Sequence, residues 1–384
     1  MKILMVSIPN HHFFQWVNQL RDAGHEVYWF DISDSSTTSE RTKWLKQIRN
    51  WKTKWDFPGR KMLKKYFPEI YKIIQQYNER KVEVYFNELL HQIQPNIVHS
   101  FAMQLSCVPI LDVMKQHPKI KWIYSSWGSD IFLHETLGIT KDKFTEVLQR
   151  VDYLITDCRR DYNITLENGF KNKFLGAFIG NGGLEINEKF ILDSDQRNIF
   201  LIKGYEDGIG KTLQIIDAVE LLPKELFENL KIVIYSADLV VKERVEKSEY
   251  FKNLKVRMYL RGQFVSNDVL LEIMGKSILH VANSVSDGLP TAGIEAMGMG
   301  AFPIQTNPGN VSEEVITHGV NGYLIENPFD VQKIALNLQN ALKNATLRET
   351  AKQYNVTFVD KNFNRDRLKK QIIKLYESIG QESN

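Results

Sequence analysis

The chain has 384 residues, 43% hydrophobic and 25% charged, the composition of a globular protein too long for one ordinary core. No apolar run nears the roughly 20 residues that span a bilayer, and two cysteines, Cys107 and Cys158, are too few for a disulfide framework or a cysteine-rich metal site. Net charge is only +3, yet residues 41–65 hold ten Lys or Arg against one acid, Asp56, leaving 39 basic and 45 acidic side chains elsewhere.

In chain order, residues 2–8 form a short apolar run that reads as a buried strand and is too short for a secretory signal, so the compartment expected is the cytoplasm. A helix from about His12 to Ala23, a turn at Gly24-His25 and a strand Glu26–Asp31 complete a βαβ opening. Further strands are predicted at Ile97–Ser100, Trp122–Ser125, Tyr153–Thr156 and near Lys173–Ala177. The pattern then repeats at Ile199–Lys203, Lys231–Ser236, Val256–Leu260, Ile278–Val281 and Phe302–Gln305. Strands alternating with helices argue for parallel, doubly wound sheets. Gly180-Asn181-Gly182-Gly183 marks a boundary able to absorb hinge rotation, giving domains 1–180 and 181–360.

The basic segment carries Trp44, Ile48, Trp51 and Trp55 at helical spacing. A cationic amphipathic helix with tryptophans reads as a peripheral membrane element, where indoles suit the headgroup boundary and lysines meet anionic lipid. The alternative is a helix docked on the protein with a solvated basic face. No recognition motif accompanies the patch, so nucleic acid is not expected as a partner.

The most informative text is Ser286-Asp287-Gly288-Leu289-Pro290-Thr291, followed by Gly293-Ile294-Glu295-Ala296-Met297. Pro290 suits the first position of a helix running to Gly300, whose free N–H groups suit a phosphate. Asp287 then lies in the loop ahead of that end, and Glu295 lies about a turn and a half inside. A second loop, Gly204-Tyr205-Glu206-Asp207-Gly208-Ile209-Gly210-Lys211-Thr212, nearly spells a P-loop but has five residues where four are required. Asp238 imitates a Walker B acid beside it.

Together with Gly300 to Thr306, Pro308-Gly309-Asn310, Glu314-Val315 and Asn321-Gly322-Tyr323-Leu324, the acidic pair resembles the E-x7-E signature of retaining family-4-type glycosyltransferases (glycosyl transferases group 1). The resemblance covers residues 200–345 well and the first half loosely. It implies the α/β GT-B architecture, with two Rossmann-like doubly wound parallel-sheet domains facing each other across a cleft and a C-terminal helix, 361–384, crossing back. It implies a nucleotide sugar, such as a UDP- or GDP-sugar, on the second domain and a glycan or lipid-linked acceptor of surface polysaccharide assembly on the first.

The residues matching the family's donor site are Glu295 for ribose hydroxyls, Asp287 for a sugar hydroxyl, and Gly288, Leu289, Pro290 and Thr291 around the diphosphate. Lys211 matches a diphosphate-binding lysine. Tyr205 stands where the family has an arginine, and Lys203 is the candidate to supply the missing charge. Arg261, before Gly262-Gln263, resembles the segment that meets the nucleobase. Cations in this role, with no Asp-x-Asp motif of the metal-using type standing out, imply no cofactor and no required metal. Glu313 and Glu314 border the sugar or cap a helix, with the cap preferred.

On the acceptor side, Ser126-Trp127-Gly128-Ser129-Asp130-Ile131 resembles an H-G-[ST]-D-I motif with Trp127 in place of the histidine. Asp130 orients that loop or an acceptor hydroxyl. The loop after the first strand carries His11 and His12 where glycines are expected; one of the pair, with His12 the candidate, is assigned to the site, and His99-Ser100 is a weaker candidate. The losses at Trp127 and Tyr205 leave two rivals, a nucleotide-binding subunit with weak catalysis and a sugar-nucleotide epimerase.

Overall fold

Ile3, Leu4, Met5 and Val6 are all fully buried, so the first strand, β1 (Lys2–Ser7), is covered on both faces, as a central parallel strand must be. The computed structural model describes residues 1–37 and 40–382, and two compact units emerge. One holds residues 1–157, 161–182 and 369 onward; the other holds 158–160 and 183–368.

In the N-terminal unit β1 is joined by β2 (Glu26–Asp31), β3 (Lys46–Ile48), β4 (Ile97–Phe101), β5 (Lys121–Ser125), β6 (Tyr153–Thr156) and β7 (Lys173–Ala177). All pairings are parallel and the order is β3-β2-β1-β4-β5-β6-β7, so the winding reverses between β1 and β4. Tyr376, on the last helix (Arg365–Gln381), belongs to this unit's core: its hydroxyl meets His99 Nδ1 at 2.6 Å and accepts from Trp16 Nε1 at 3.0 Å. The final two residues of the helix expected at 361–384 lie outside the described residues.

The helix expected over 41–65 forms only at its end, from Arg60, and not across the tryptophans. Residues 46–48 instead make the parallel edge strand β3 on β2, with Phe30 opposite Ile48. Trp51 is fully buried, with its ring 5.3 Å from Tyr85 and 5.0 Å from Phe30, and its Nε1 donates to Asp31 O at 2.8 Å. Trp44 Nε1 donates to Asn18 Oδ1 at 2.8 Å. Each indole finds its own aromatic or polar anchor, and this tertiary packing overrides the local period. A tryptophan-lined cationic helix over this segment is therefore absent, and only its end, from Arg60, is helical. The first helix is also shorter than expected, His11–Asn18, because the chain enters turns from Gln19 to Gly24.

The second unit contains β8 (Ile199–Lys203), β9 (Lys231–Ala237), β10 (Lys255–Leu260), β11 (Ser277–Ala282), β12 (Phe302–Thr306) and β13 (Tyr323–Ile325), again all parallel. Their order is β10-β9-β8-β11-β12-β13, reversing between β8 and β11. Phe200, Ile202, Ile232 and Ile234 pack into one face's core, and Leu201, Val233 and Tyr235 into the other. β13 is not expected from sequence, being three residues inside a turn-rich stretch.

Gly182 and Gly183 both take positive φ, 71° and 127°, and a Cβ on Gly183 would come within 2.7 Å of the Arg365 Cα. Close approach, as well as the turn, demands glycine there.

Candidate active site

In an open parallel sheet, ligands bind beyond the carboxyl ends of the strands where the winding reverses. In the second unit those ends are Lys203 of β8 and Ala282 of β11, and the two loops that follow are laced together. Val285 N donates to Ile209 O at 3.0 Å, and Lys211 N donates to Asn283 O at 2.9 Å. Asn283 Nδ2 returns bonds to Lys211 O at 2.9 Å and to Pro328 O at 2.8 Å. Lys211 is thereby tied at its backbone to the end of β11, and its ammonium lies 5.9 Å from the Phe329 ring centre.

The near-P-loop does not form a phosphate cradle. Glu206 Oε2 accepts from Leu213 N at 2.8 Å, so a carboxylate already occupies the start of the helix Thr212–Glu220. The Thr212 hydroxyl, which would face a metal in a Walker site, is buried and shared between Lys203 O and Tyr205 O, at 2.8 Å each. Gly210 leaves no room for a side chain against the Tyr205 backbone. Asp238 accepts from Glu206 N at 2.8 Å, a loop-bracing role rather than a Walker B one.

The opposite holds for the helix after β11. It runs Thr291–Gly298, with Pro290 at the N-cap instead of the first helical position and an end two residues earlier than expected. No side chain caps it, so its first N–H groups point outward with the positive end of the dipole. Gly288, Leu289 and Pro290 are buried in the loop leading to it.

Asp287 and Glu295 are both half-buried at this end. Desolvation pushes the Asp287 carboxyl above its ordinary range, opposed by the nearby Lys203 cation. Burial raises Glu295 from 4.5 to about 7, partly countered by the Arg365 charge. Neither carboxylate has a hydrogen-bonding cation on it in the described structure, so both are available to hydroxyl donors.

Tyr205, in the arginine's place, is sandwiched between cations: Lys203 Nζ lies 4.7 Å from its ring centre and the Arg261 guanidinium 4.2 Å. Such stacking is worth about 0.5–2 kcal/mol, and it fixes where the charges sit. Arg261 also pairs with Asp207 at 2.7 Å and Asp238 at 3.4 Å, and its N–H serves Ala237 O at 2.8 Å. Its side chain thus braces the loop, while Lys203 keeps no acidic hydrogen-bond partner among the described residues. Glu313 accepts from Asn307 Nδ2 at 2.8 Å and serves its own turn.

At the matching ends of the N-terminal sheet, Asp130 is buried and fully engaged. It accepts from Met103 N at 2.8 Å, the Tyr124 hydroxyl at 2.6 Å and Trp127 N at 2.8 Å. Both its oxygens are engaged within the protein, which matches the loop-orienting one of the two roles weighed for it. Gly128, at φ 85°, makes the turn that lets Asp130 fold back. His99 is likewise buried, held between Tyr376 and Ser125, and desolvation lowers its pKa to about 3, so it is a neutral core residue. His12 is the second residue of the first helix, where Asn10 Oδ1 accepts from its N–H at 2.8 Å, and its ring lies 6.3 Å from Trp127. His11 is exposed, so His12 is the one that meets Trp127. Trp127 is half-buried with its ring 6.2 Å from Phe101, forming an aromatic floor.

Sequence reading missed Asn283, the clamp between the two donor-side loops, and Asp207, whose Oδ1 accepts from Ile209 N at 3.2 Å and Gly210 N at 2.9 Å. The Asp-Gly pair at 207–208 was its visible signal, a side chain closing its own turn. Asn283 has no local signature.

Residues 195–358 match the family model for glycosyl transferases group 1, and residues 2–157 match that for glycosyl transferase 4-like proteins. Among curated proteins none matches by sequence. Among solved structures, sucrose-phosphate synthase of Thermosynechococcus elongatus aligns over 100% of both chains with TM-score 0.70 and 15% identity. HepE of Anabaena, in complex with UDP and glucose, aligns over 98% of this chain and 100% of its own, with TM-score 0.65 and 14% identity. The lipopolysaccharide outer core galactosyltransferase WaaB, in its apo form, aligns over 100% of both with TM-score 0.68 and 13% identity. At such identities the likeness speaks for the fold, two Rossmann-like parallel-sheet units of the GT-B kind. Among the described residues no helix is long and apolar enough to cross a membrane.

Proposed function

We propose a donor chemistry and an acceptor class for this chain, which belongs to the glycosyl transferases of group 1 and is a glycosyltransferase. The reaction is transfer of a hexose-type sugar from a nucleoside diphosphate to a saccharide or lipid-linked acceptor of surface polysaccharide assembly, with retained anomeric configuration. The observation that carries the donor assignment is the uncapped start of the helix Thr291–Gly298, flanked by Lys203, Asp287 and Glu295.

Each group has a separate task. Ionised Glu295 accepts hydrogens from the ribose hydroxyls, and Asp287 accepts one from a sugar hydroxyl. Lys203, Lys211 and the helix start take up the charge that builds on the diphosphate as the sugar–oxygen bond breaks. The acceptor hydroxyl then forms its bond to the anomeric carbon on the face the phosphate leaves. The departing phosphate oxygen takes the acceptor's proton, so no separate basic carboxylate is needed. Fixed cations do here what a divalent ion does elsewhere, and activity should persist in excess EDTA. Because the HepE structure holds UDP and glucose, a uridine diphosphate sugar is the first donor to try.

A panel of nucleotide sugars scored by thermal shift tests the donor reading, since a ligand bound to the native state raises its melting temperature. The anomeric configuration of the product, read by NMR, tests retention. Stabilisation by no nucleoside diphosphate sugar would overturn the donor assignment, and an inverted product would overturn the mechanism.

A further inference from the structure

Two helices of the N-terminal unit, Arg60–Tyr66 and Pro68–Asn78, contribute a single buried residue, Asn78, among those whose burial is described. The second helix has two distinct faces. Tyr71, Ile74 and Asn78 face inward, whereas Ile70, Ile73 and Tyr77, three and four positions apart, form an outward stripe. With Met62, Tyr66 and Phe67 these residues are between 51% and 74% exposed. Large side chains do not collect on a solvated surface without a reason.

The patch is held in shape. Asn78 Nδ2 donates to Trp55 O at 2.8 Å, and its Oδ1 accepts from Trp55 N at 2.9 Å. Lys54 N reaches Asn78 O at 2.8 Å, which sets half-exposed Trp55 beside the end of the outward stripe. Arg60 Nε donates to the Tyr71 hydroxyl at 3.3 Å and ties the two helices together.

Charge identifies the occupant. Residues 52–72 contain seven Lys or Arg and two acids. Both acids are already engaged, Asp56 with Arg60 at 3.7 Å and Glu69 with Lys72 at 2.8 Å. Exposed Lys64 and Lys65 lie over the Tyr71 and Tyr66 rings at 6.0 and 5.2 Å and have no acidic partner among the described residues. Aliphatic and aromatic side chains interleaved with unpaired lysines fit the headgroup boundary of an anionic bilayer, where apolar tips enter and ammonium groups meet phosphate.

We propose that residues 55–77 form a peripheral docking surface for anionic lipid bilayers. The surface differs from the helix its neighbouring tryptophans suggest: Trp44 and Trp51 are spent on the interior, and the exposed stripe lies further along the chain. The inference stands on exposure and charge alone, and it is independent of the donor chemistry.

The full-length protein is sedimented with vesicles of phosphatidylcholine alone and of phosphatidylcholine carrying about 30% phosphatidylglycerol. The protein should pellet with the anionic vesicles only. A Met62→Ser, Ile70→Ser, Ile73→Ser variant should stay in the supernatant with an unchanged melting temperature, because those side chains support no core. Lys64→Gln and Lys65→Gln should each lower the partition coefficient about five-fold. Phe264→Ser, an exposed aromatic on the other unit, should change nothing. Failure of the parent to pellet, or undiminished pelleting of the triple variant, would overturn the proposal. So would a concentration-dependent dimer that the triple variant dissolves without any vesicle effect, because the occupant would then be a second copy of the chain.

Discussion

The two parallel sheets reverse their winding in the same way, yet the loops beyond their strand ends are filled with opposite chemistry. Beyond β8 and β11 stand Lys203, Lys211, Asp287, Glu295 and an uncapped helix start, charged groups left without strong partners. Beyond β1, β4 and β5 the Asp130 carboxylate and the His99 imidazole are consumed internally. Asp130 has three donors, His99 is locked between two hydroxyls, and what remains toward the loops is the aromatic set His12, Trp127 and Phe101. A surface of uncompensated charge suits a diphosphate, and an aromatic floor suits the apolar face of a sugar ring. One topology thus carries two chemistries, and the difference lies in which charged groups the fold leaves uncompensated.

The sharpest test of that division is at Asp287. Replacement by Ala should lower transfer about a thousand-fold while leaving affinity for the sugar-free nucleoside diphosphate nearly unchanged, since only the transferred sugar is lost as a partner. Equal losses in transfer and nucleotide binding, compared by single-turnover rates and calorimetry, would reject the assignment. Lys203→Met should follow with a loss of about a hundred-fold in kcat. Arg261→Met should cost less, because Arg261 is already neutralised by Asp207 and Asp238. If Arg261 proved the more damaging change, the charge missing at Tyr205 would be supplied by the arginine and the reading of the Tyr205 stack would be wrong.

The residues also differ in how visible they are in sequence. The central strands are legible, with boundaries within a residue or two, because their apolar runs are continuous and largely buried, as in Ile199–Lys203 and Lys231–Ala237, whereas the short edge strands β3 and β13 are not. Asp287 and Glu295 are legible because a strand, a proline and a helix fix their spacing. Trp44 and Trp51 are misread because a helical period in sequence does not reveal that each indole has a separate anchor on another element. Asp130 illustrates the same limit: its motif marks the loop, but only the Tyr124, Met103 and Trp127 donors show that the carboxylate is internal. Asn283 is invisible for this reason too, since its partners Lys211 and Pro328 are 72 and 45 residues away.

Glu295 offers a test by pH. A carboxyl raised to about 7 is largely protonated at pH 6 and ionised at pH 8, and only the ionised form accepts from both ribose hydroxyls. Nucleotide affinity should therefore rise through neutrality and release a proton on binding below pH 7. Glu295→Gln should bind about ten-fold more weakly at pH 8 and lose this pH dependence. The stability effect has the opposite sign. Below the ordinary value of 4.5 the group is protonated whether folded or unfolded, and its cost to the native state grows until pH passes about 7. The Gln variant without ligand should therefore gain melting temperature over the parent as pH increases across that window. A flat difference would mean that Glu295 titrates normally.

The smallest expected effect lies on the aromatic side. Trp127 fills the position where the related motif has a histidine, and its ring packs near His12 and Phe101. If it serves as a platform, Trp127→Phe should retain the packing and raise the acceptor KM only a few-fold, while Trp127→Ala should raise it about ten-fold, in line with the 0.5–1.5 kcal/mol of an aromatic contact. In both variants the donor KM should stay put, because no group of the charged loops is touched. A fall in kcat with an unchanged acceptor KM would point elsewhere. It would mean that the indole shapes the loop pinned by Asp130, so that the aromatic floor carries catalysis through geometry and the contrast between the two sheets is one of rigidity as much as of charge.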